Sequence, residues 1–283
     1  MKSLRSVIAV CFSVAMGTAA AQVPQQGPPP GIESDAKVQA RAELNRGVEA
    51  FEGGRYEEAT SAFQHAKEMD PQLLNARLYL ATTYASQYIP GAPSEENLQN
   101  GRKSIEEFRG VLVLDPANLS AIDGLGSLLF QMAGTPYKPE MFLESKSFHQ
   151  RHIQISPEDP EPYYWIGVID WTMVFRANRE KRAKFNEYAA NKALKELEPL
   201  PESLRVNFAR EFEPTIDEGV QYIKKAIALR QDYDDAMAYL NLLYRMKAEC
   251  LASKAERARY TSMADDLVDQ VKGVKQKRAT QNR

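Results

Sequence analysis

The chain of 283 residues is 43% hydrophobic, enough to bury a core, so it is not a disordered segment overall. Its formal net charge of −2 argues against general nucleic-acid binding, which needs a basic face or stripe. With only two cysteines, a disulfide framework is excluded as the source of stability.

The chain opens with the pattern of an export signal. Lys2 and Arg5 form a short basic region, Val7 to Met16 is mostly apolar, and Ala19-Ala20-Ala21 supplies small residues for cleavage. This predicts a signal peptide over 1–21 and a periplasmic or secreted protein. The alternative, a retained anchor, needs a longer apolar stretch. Cys11 follows Val10 rather than a small residue, which argues against lipid attachment. Removal of 1–21 leaves Cys250 without an internal partner. Residues 22–35, beginning "QVPQQGPPPG", are rich in Pro and Gln and read as an extended tether.

Self-similarity organises the chain beyond the tether. From Leu44 to Pro71 one helix ends near Gly53-Gly54 and a second runs to Pro71. Small Gly47, Ala59 and Ala66 allow the two helices to approach closely, Tyr56 and Phe63 fill the layers between, and Pro71 turns the chain. The same ending returns at Phe108–Pro116, at His149–Pro157 and more loosely at Ile223–Gln231. First helices carrying Ala81, Gly126 and Gly167 precede these endings. A last unit places Asn241 where a small residue is expected, which predicts looser packing or a buried amide with a partner. Its second helix is expected around Ala264 to Val271. The units are expected at about 40–73, 74–118, 119–159, 160–233 and 234–272. The second, third and fourth carry extra residues between their paired helices. The largest addition, at about 175–215, lies in the fourth. The additions around "YIPGAPSEEN" and "GTPYKPEM" read as ordered loops.

Gly47, Gly54, Tyr56, Ala59, Phe63, Ala66 and Pro71 resemble the tetratricopeptide repeat, a helix–turn–helix unit of about 34 residues. Tyr163–Trp171 and Ala228–Ala248 are also similar to a group of exported bacterial tetratricopeptide proteins, a likeness that covers residues 36–272 and implies no particular ligand. The resemblance implies an all-α, right-handed superhelix of about five helix–turn–helix pairs with insertions between paired helices. It also implies a concave groove, lined by first helices, that holds a protein or peptide. On this chain the groove face comprises Leu44, Val48, Phe51, Leu78, Thr82, Asp123, Ser127, Tyr164, Val168, Trp171, Leu242 and Arg245. For each of these residues alone, ordinary packing between repeats is an equal alternative. Some family members clamp a C-terminal carboxylate with a Lys/Asn/Arg set. Leu44 and Val48 occupy two of those places here, so that clamp is not formed.

Candidate chemistry is sparse. His149 and His152 stand i,i+3 on a helix, but zinc wants three or four ligands and no further ligand is evident, so they read as core residues. "GLGSLL" at Gly124–Leu129 lies in a helical pattern and follows no strand, which argues against a phosphate loop. No nucleophile elbow, Walker loop or HExxH occurs. Asp234 and Asp235 suit a helix start. No catalytic residue, metal or cofactor is expected.

The long insert is basic from Arg176 to Lys195 and comparably acidic from Glu196 to Glu218. Trp171, Phe175, Phe185 and Tyr188 accompany the basic half. Phe175, Arg176, Arg179, Arg182 and Lys184 could form a cationic, aromatic platform for an anionic partner or a lipid surface. The favoured reading is that the two halves neutralise each other. The basic stretch 273–283 reads as a frayed, solubilising tail. The leading expectation is a scaffold of the cell envelope that binds a protein or peptide partner. The alternatives are a membrane-surface or self-assembling structural protein that uses the basic-aromatic insert, and, with least support, an enzyme of unknown type.

Overall fold

A computed structural model describes residues 35–188, 193–195 and 198–281. The expected signal peptide and all of the tether but Asp35 lie outside the described residues. The residues from Ala36 onward form one compact unit. Its described residues build ten helices: α1 (Asp35–Glu52), α2 (Tyr56–Met69), α3 (Leu74–Gln87), α4 (Glu95–Leu114), α5 (Leu119–Ala133), α6 (Pro139–Ile155), α7 (Pro160–Tyr188), α8 (Glu202–Leu229), α9 (Asp234–Cys250) and α10 (Lys254–Gln281). Each helix from α2 onward packs on the next, as antiparallel neighbours do. Odd-numbered helices are the first members of five pairs and even-numbered helices the second. First helices of successive pairs also touch, α3 with α5 and α7 with α9.

The ends of the helices follow from local chemistry. Gly54 adopts φ +70°, a left-handed turn open to glycine, and lets Arg55 N–H donate to Ala50 O at 2.8 Å. Ser94 and Asn118 cap α4 and α5 by accepting from Asn97 N and Ala121 N. Pro139 opens α6, where its missing N–H is no loss. Asp70, Asp115 and Ser156 stop α2, α4 and α6 out of the helical region. Each stands before a proline, whose ring pushes the preceding residue toward extended geometry. Arg230 ends α8 in the same way although Gln231 replaces the proline. The repeat therefore keeps its ending where its signature residue is missing.

Pairs close on small residues. A β-carbon on Gly47 would lie 2.4 Å from Phe63 Cε1, one on Gly126 would lie 2.8 Å from the His149 ring, and one on Gly167 would lie 2.2 Å from Ile223 Cγ1. Facing them stand Ala59, Ser145 and Gly219, all buried. Where serine takes this place it ties the pair: Ser104 Oγ donates to Ala81 O at 2.8 Å, and Ser145 Oγ to Gly126 O at 2.7 Å. In the last pair Asn241 Nδ2 donates across to Ala264 O at 2.5 Å, and Asn241 Oδ1 accepts from Arg245. That is the buried amide with a partner, not looser packing.

The inserts differ in kind. The first is an ordered loop held by Asn97, which accepts from Ile89 N at 2.6 Å and donates to Ile89 O and Ala92 O. The long one is mostly more helix. α7 has 29 residues and α8 has 28, with Pro214 inside α8. The C-terminal stretch expected to fray is instead helical through Gln281. Arg278 anchors it by donating to Asp234 at 2.7 Å and to the Asp232 carbonyl. A partner at the turn into α9 outweighs the polar composition of the segment.

The glycine contacts generate a paired prediction. Gly47→Leu should destabilise the chain by about 1–3 kcal/mol through overpacking against Phe63. Gly273→Ala, at a helical site with nothing within 4 Å, should change stability by less than about 1 kcal/mol, toward greater stability. Urea denaturation of both variants checks this, and equal effects would mean the helices do not approach at Gly47.

Candidate functional site

The first-helix face changes character along the stack. In the first pair Leu44, Val48 and Phe51 are half-buried and pack against Ala50, Phe63, Leu80 and Tyr84, so they serve the local core. Leu78 packs beside Phe108 and Leu125, and Thr82 Oγ1 donates back to Leu78 O at 2.9 Å. Asp123 accepts from His152 Nδ1 at 2.6 Å, and Ser127 is half-buried on the same helix, α5. Val168 is fully packed, with 2% exposure. Arg245 donates to Asn241 and to Asp265 of α10. Leu242 is half-buried on α9.

On α7 and α9 this face gathers aromatic rings. Tyr164 lies 5.6 Å edge-on to Tyr239 and 5.1 Å from Tyr233. Trp171 lies 5.4 Å edge-on to Tyr239 as well and stacks on Phe175 at 4.9 Å. Tyr164, Trp171 and Phe175 are half-buried, leaving ring surface open. The Trp171 Nε1–H is shielded and has no hydrogen-bond partner among the described residues. A second row, Trp165–Phe130–Phe142–Tyr137, leads from α7 toward the loop between α5 and α6. Tyr239, Tyr233, Trp165 and Tyr137 fall outside the positions that the repeat register selects, whereas Phe130 holds the same register position on α5 as Phe51 on α1 and Trp171 on α7, yet is absent from the expected groove face. Tyr239 follows Ala238, the position on α9 equivalent to Tyr164 on α7. The sequence signal that points to it is the pair Tyr233 and Tyr239 at the start of one first helix, matching the aromatic run Tyr163-Tyr164-Trp165 at the start of the preceding one.

The insert candidates separate. Arg182 is buried and committed: it donates to Asn178 Oδ1, to Lys195 O and to Glu249 of α9 at 2.8 Å. Lys181 pairs with Glu211 across α7 and α8 at 2.7 Å. Neutralisation of the basic half thus operates at Lys181, whereas Arg182 is satisfied by α9. Arg176 donates to Glu180 at 2.9 Å and lies over the Tyr137 ring at 4.1 Å. Arg179 lies over Phe175 at 5.8 Å and is exposed, with no ion pair among the described residues. Lys184 is exposed as well.

His149 and His152 are both buried. His149 fills the place that Phe63 and Ile223 take in other pairs, stacked on Trp165 at 6.0 Å, with neither ring nitrogen bonded among the described residues. Burial, with the neighbouring His152, pushes its pKa down to about 3. His152 is raised instead, chiefly by its hydrogen bond to Asp123, with Asp159 adding to it. Among the described residues no group of His, Cys, Asp and Glu could hold a metal ion. "GLGSLL" lies inside α5, and Asp234 and Asp235 begin α9, where Asp234 pairs with Arg278. Among the described residues no helix is long and apolar enough to cross a membrane.

No family model and no curated protein matches the chain. Solved structures do match it. A structure of MamA shares 16% identity over 82% of this chain and 93% of that one, with a TM-score of 0.54. MamA from Desulfovibrio magneticus RS-1 shares 13% over 82% and 96%, TM-score 0.51. YrrB, described as a TPR protein with an unusual peptide-binding site, shares 14% over 84% and 92%, TM-score 0.51. The fold is therefore that of a tetratricopeptide-type solenoid, all-α and built of stacked helix pairs.

His149 yields a pH prediction. Its folded pKa of about 3 lies below the ordinary 6.5, so between those values the unfolded chain binds a proton that the folded chain refuses. This residue therefore lowers stability as pH falls through that window. His152 acts in the opposite sense, its contribution being lost as pH rises through its elevated pKa. His149→Phe, which keeps the stack on Trp165, should flatten the loss of stability on acidification below pH 6.5. Denaturation curves across that range check it, and an unchanged acid slope would show that His149 is not buried as a neutral ring.

Proposed function

We propose that the chain is a non-enzymatic scaffold of the cell envelope, delivered there by its N-terminal segment, that holds a protein or peptide across its first-helix face. The observation that carries this reading is the half-buried aromatic row Tyr164–Tyr239–Trp171–Phe175. Open aromatic faces between two first helices give a partner a large contact area at little entropic cost. Toward α5 the face turns to small and polar groups, Ser127 and Asp123, which suit an extended backbone. YrrB, which shares this fold and is described as having an unusual peptide-binding site, supports this use of it.

Site-specific photocrosslinking tests it. A photoreactive residue placed at Ser127 or Phe130 should give a discrete adduct in envelope extract, and the same group at exposed Glu68 or Lys225 on second helices should not. Trp171→Ala should reduce the adduct by about tenfold, the loss typical of an aromatic anchor. Equal labelling from both faces, or none from the first-helix face, would contradict the reading.

A further inference from the structure

We infer that the open end of the aromatic row receives an acidic peptide segment, its carboxylates met by Arg179 and, beside it, Arg176. This rests on the groove reading above and names the chemistry of the partner.

Trp171, Phe175 and Arg179 recur every fourth residue, so they share one face of α7 and continue the aromatic row outward. The other first helices are 14 to 18 residues long. A helix of that length starting at Pro160 would end by Ala177, so Arg179 is present on this face only because α7 is extended. Both arginines are laid on rings, Arg176 over Tyr137 and Arg179 over Phe175. Arg176, at 4.1 Å, is held through its face and spends its Nε–H on Glu180, while Arg179, at 5.8 Å, lies at the outer reach of a cation–π contact that favours a place beside the ring and leaves its N–H groups available to a carboxylate. The nearby countercharges do not consume those groups at Arg179. Glu180 bonds Arg176, Lys181 takes Glu211, and Arg182 takes Glu249. Among the described residues Arg179 therefore remains a cation without an ion pair beside open aromatic surface, complementary to a segment that combines apolar or aromatic residues with carboxylates.

An anionic lipid surface offers the same charge but fits less well. It would meet the far end of the α7–α8 hairpin first. Among the described residues there, the exposed cations Lys184, Lys195 and Arg210 are matched by exposed Glu187, Glu198 and Glu202.

Fluorescently labelled copolymer peptides of alternating Tyr-Glu, Tyr-Gln and Tyr-Lys, equal in length, provide the probes, with phosphatidylserine vesicles as a further arm. Binding is read by anisotropy at low and high salt. The full chain should bind the Tyr-Glu peptide at least about tenfold more tightly than Tyr-Gln, with Tyr-Lys weakest. Arg179→Gln should remove most of that preference by weakening Tyr-Glu binding far more than Tyr-Gln binding, and Trp171→Ala should weaken both peptides. Equal binding of Tyr-Glu and Tyr-Gln, lost together in Trp171→Ala, would overturn the acidic specificity and leave the groove reading standing. Binding of vesicles but of no peptide, or of nothing at all, would overturn both. A Tyr-Glu preference untouched by Arg179→Gln and by Arg176→Gln would place the anion site elsewhere and overturn the assignment.

Discussion

At Gly167 there is no room for a methyl group. The side chain of Ile223 and the backbone of Gly219 occupy the space where one would stand. Gly47 and Gly126 repeat this relation with Phe63 and His149. Close approach at this one level fixes how deep the second helix nests against the first. That depth decides which residues of the first helix remain for the outer face. In the fourth pair the nesting buries Val168 and leaves Tyr164 and Trp171 half-covered one turn to either side. The exposed aromatic row is thus a consequence of the same contact that closes the core.

Successive pairs are held in register by shared charges. Glu107 on α4 accepts from Lys67 on α2 and from Arg77 on α3. Lys146 on α6 bridges Asp170 on α7 and Glu218 on α8, and Lys247 on α9 bridges Glu213 and Asp217 on α8. Glu107, Lys146 and Lys247 are each buried and serve two partners across a unit boundary or a pair. The desolvation cost of such groups offsets much of their attraction, so their main effect is to penalise misregistered stacking, where a buried charge would be left alone. In a solenoid whose stability is a sum of local pairs and nearest-neighbour contacts, this keeps first helices aligned. An aligned face is what an extended ligand needs.

Much of this architecture is legible in the sequence because small residues, ring residues and closing prolines recur at fixed spacing, and that spacing is the pairing geometry itself. Asn241 is legible as an exception, and its partner across the pair is Ala264 O. Other features depend on contacts between residues distant in sequence. The tail is ordered because Arg278 meets Asp232 and Asp234, a relation without local signature. Arg182 looks like a surface cation within a basic run, yet it is buried with Glu249 and Asn178 as its partners. Tyr239 joins the aromatic row because its ring meets both Tyr164 and Trp171 where α9 packs on α7, a relation between distant residues that a register count does not contain.

The contact at Gly167 can be tested by a double-mutant cycle with Ile223. Gly167→Ala alone should cost about 1–3 kcal/mol by overpacking, and Ile223→Ala alone about 2–5 kcal/mol by leaving a cavity. If the new methyl group clashes with the Ile223 side chain, the second substitution makes room for it. The double variant should then be more stable than the sum of the two costs implies, by about 1 kcal/mol or more, in urea denaturation curves. Costs that simply add would show that the two helices do not meet at this point, and that the groove face is not set by their approach.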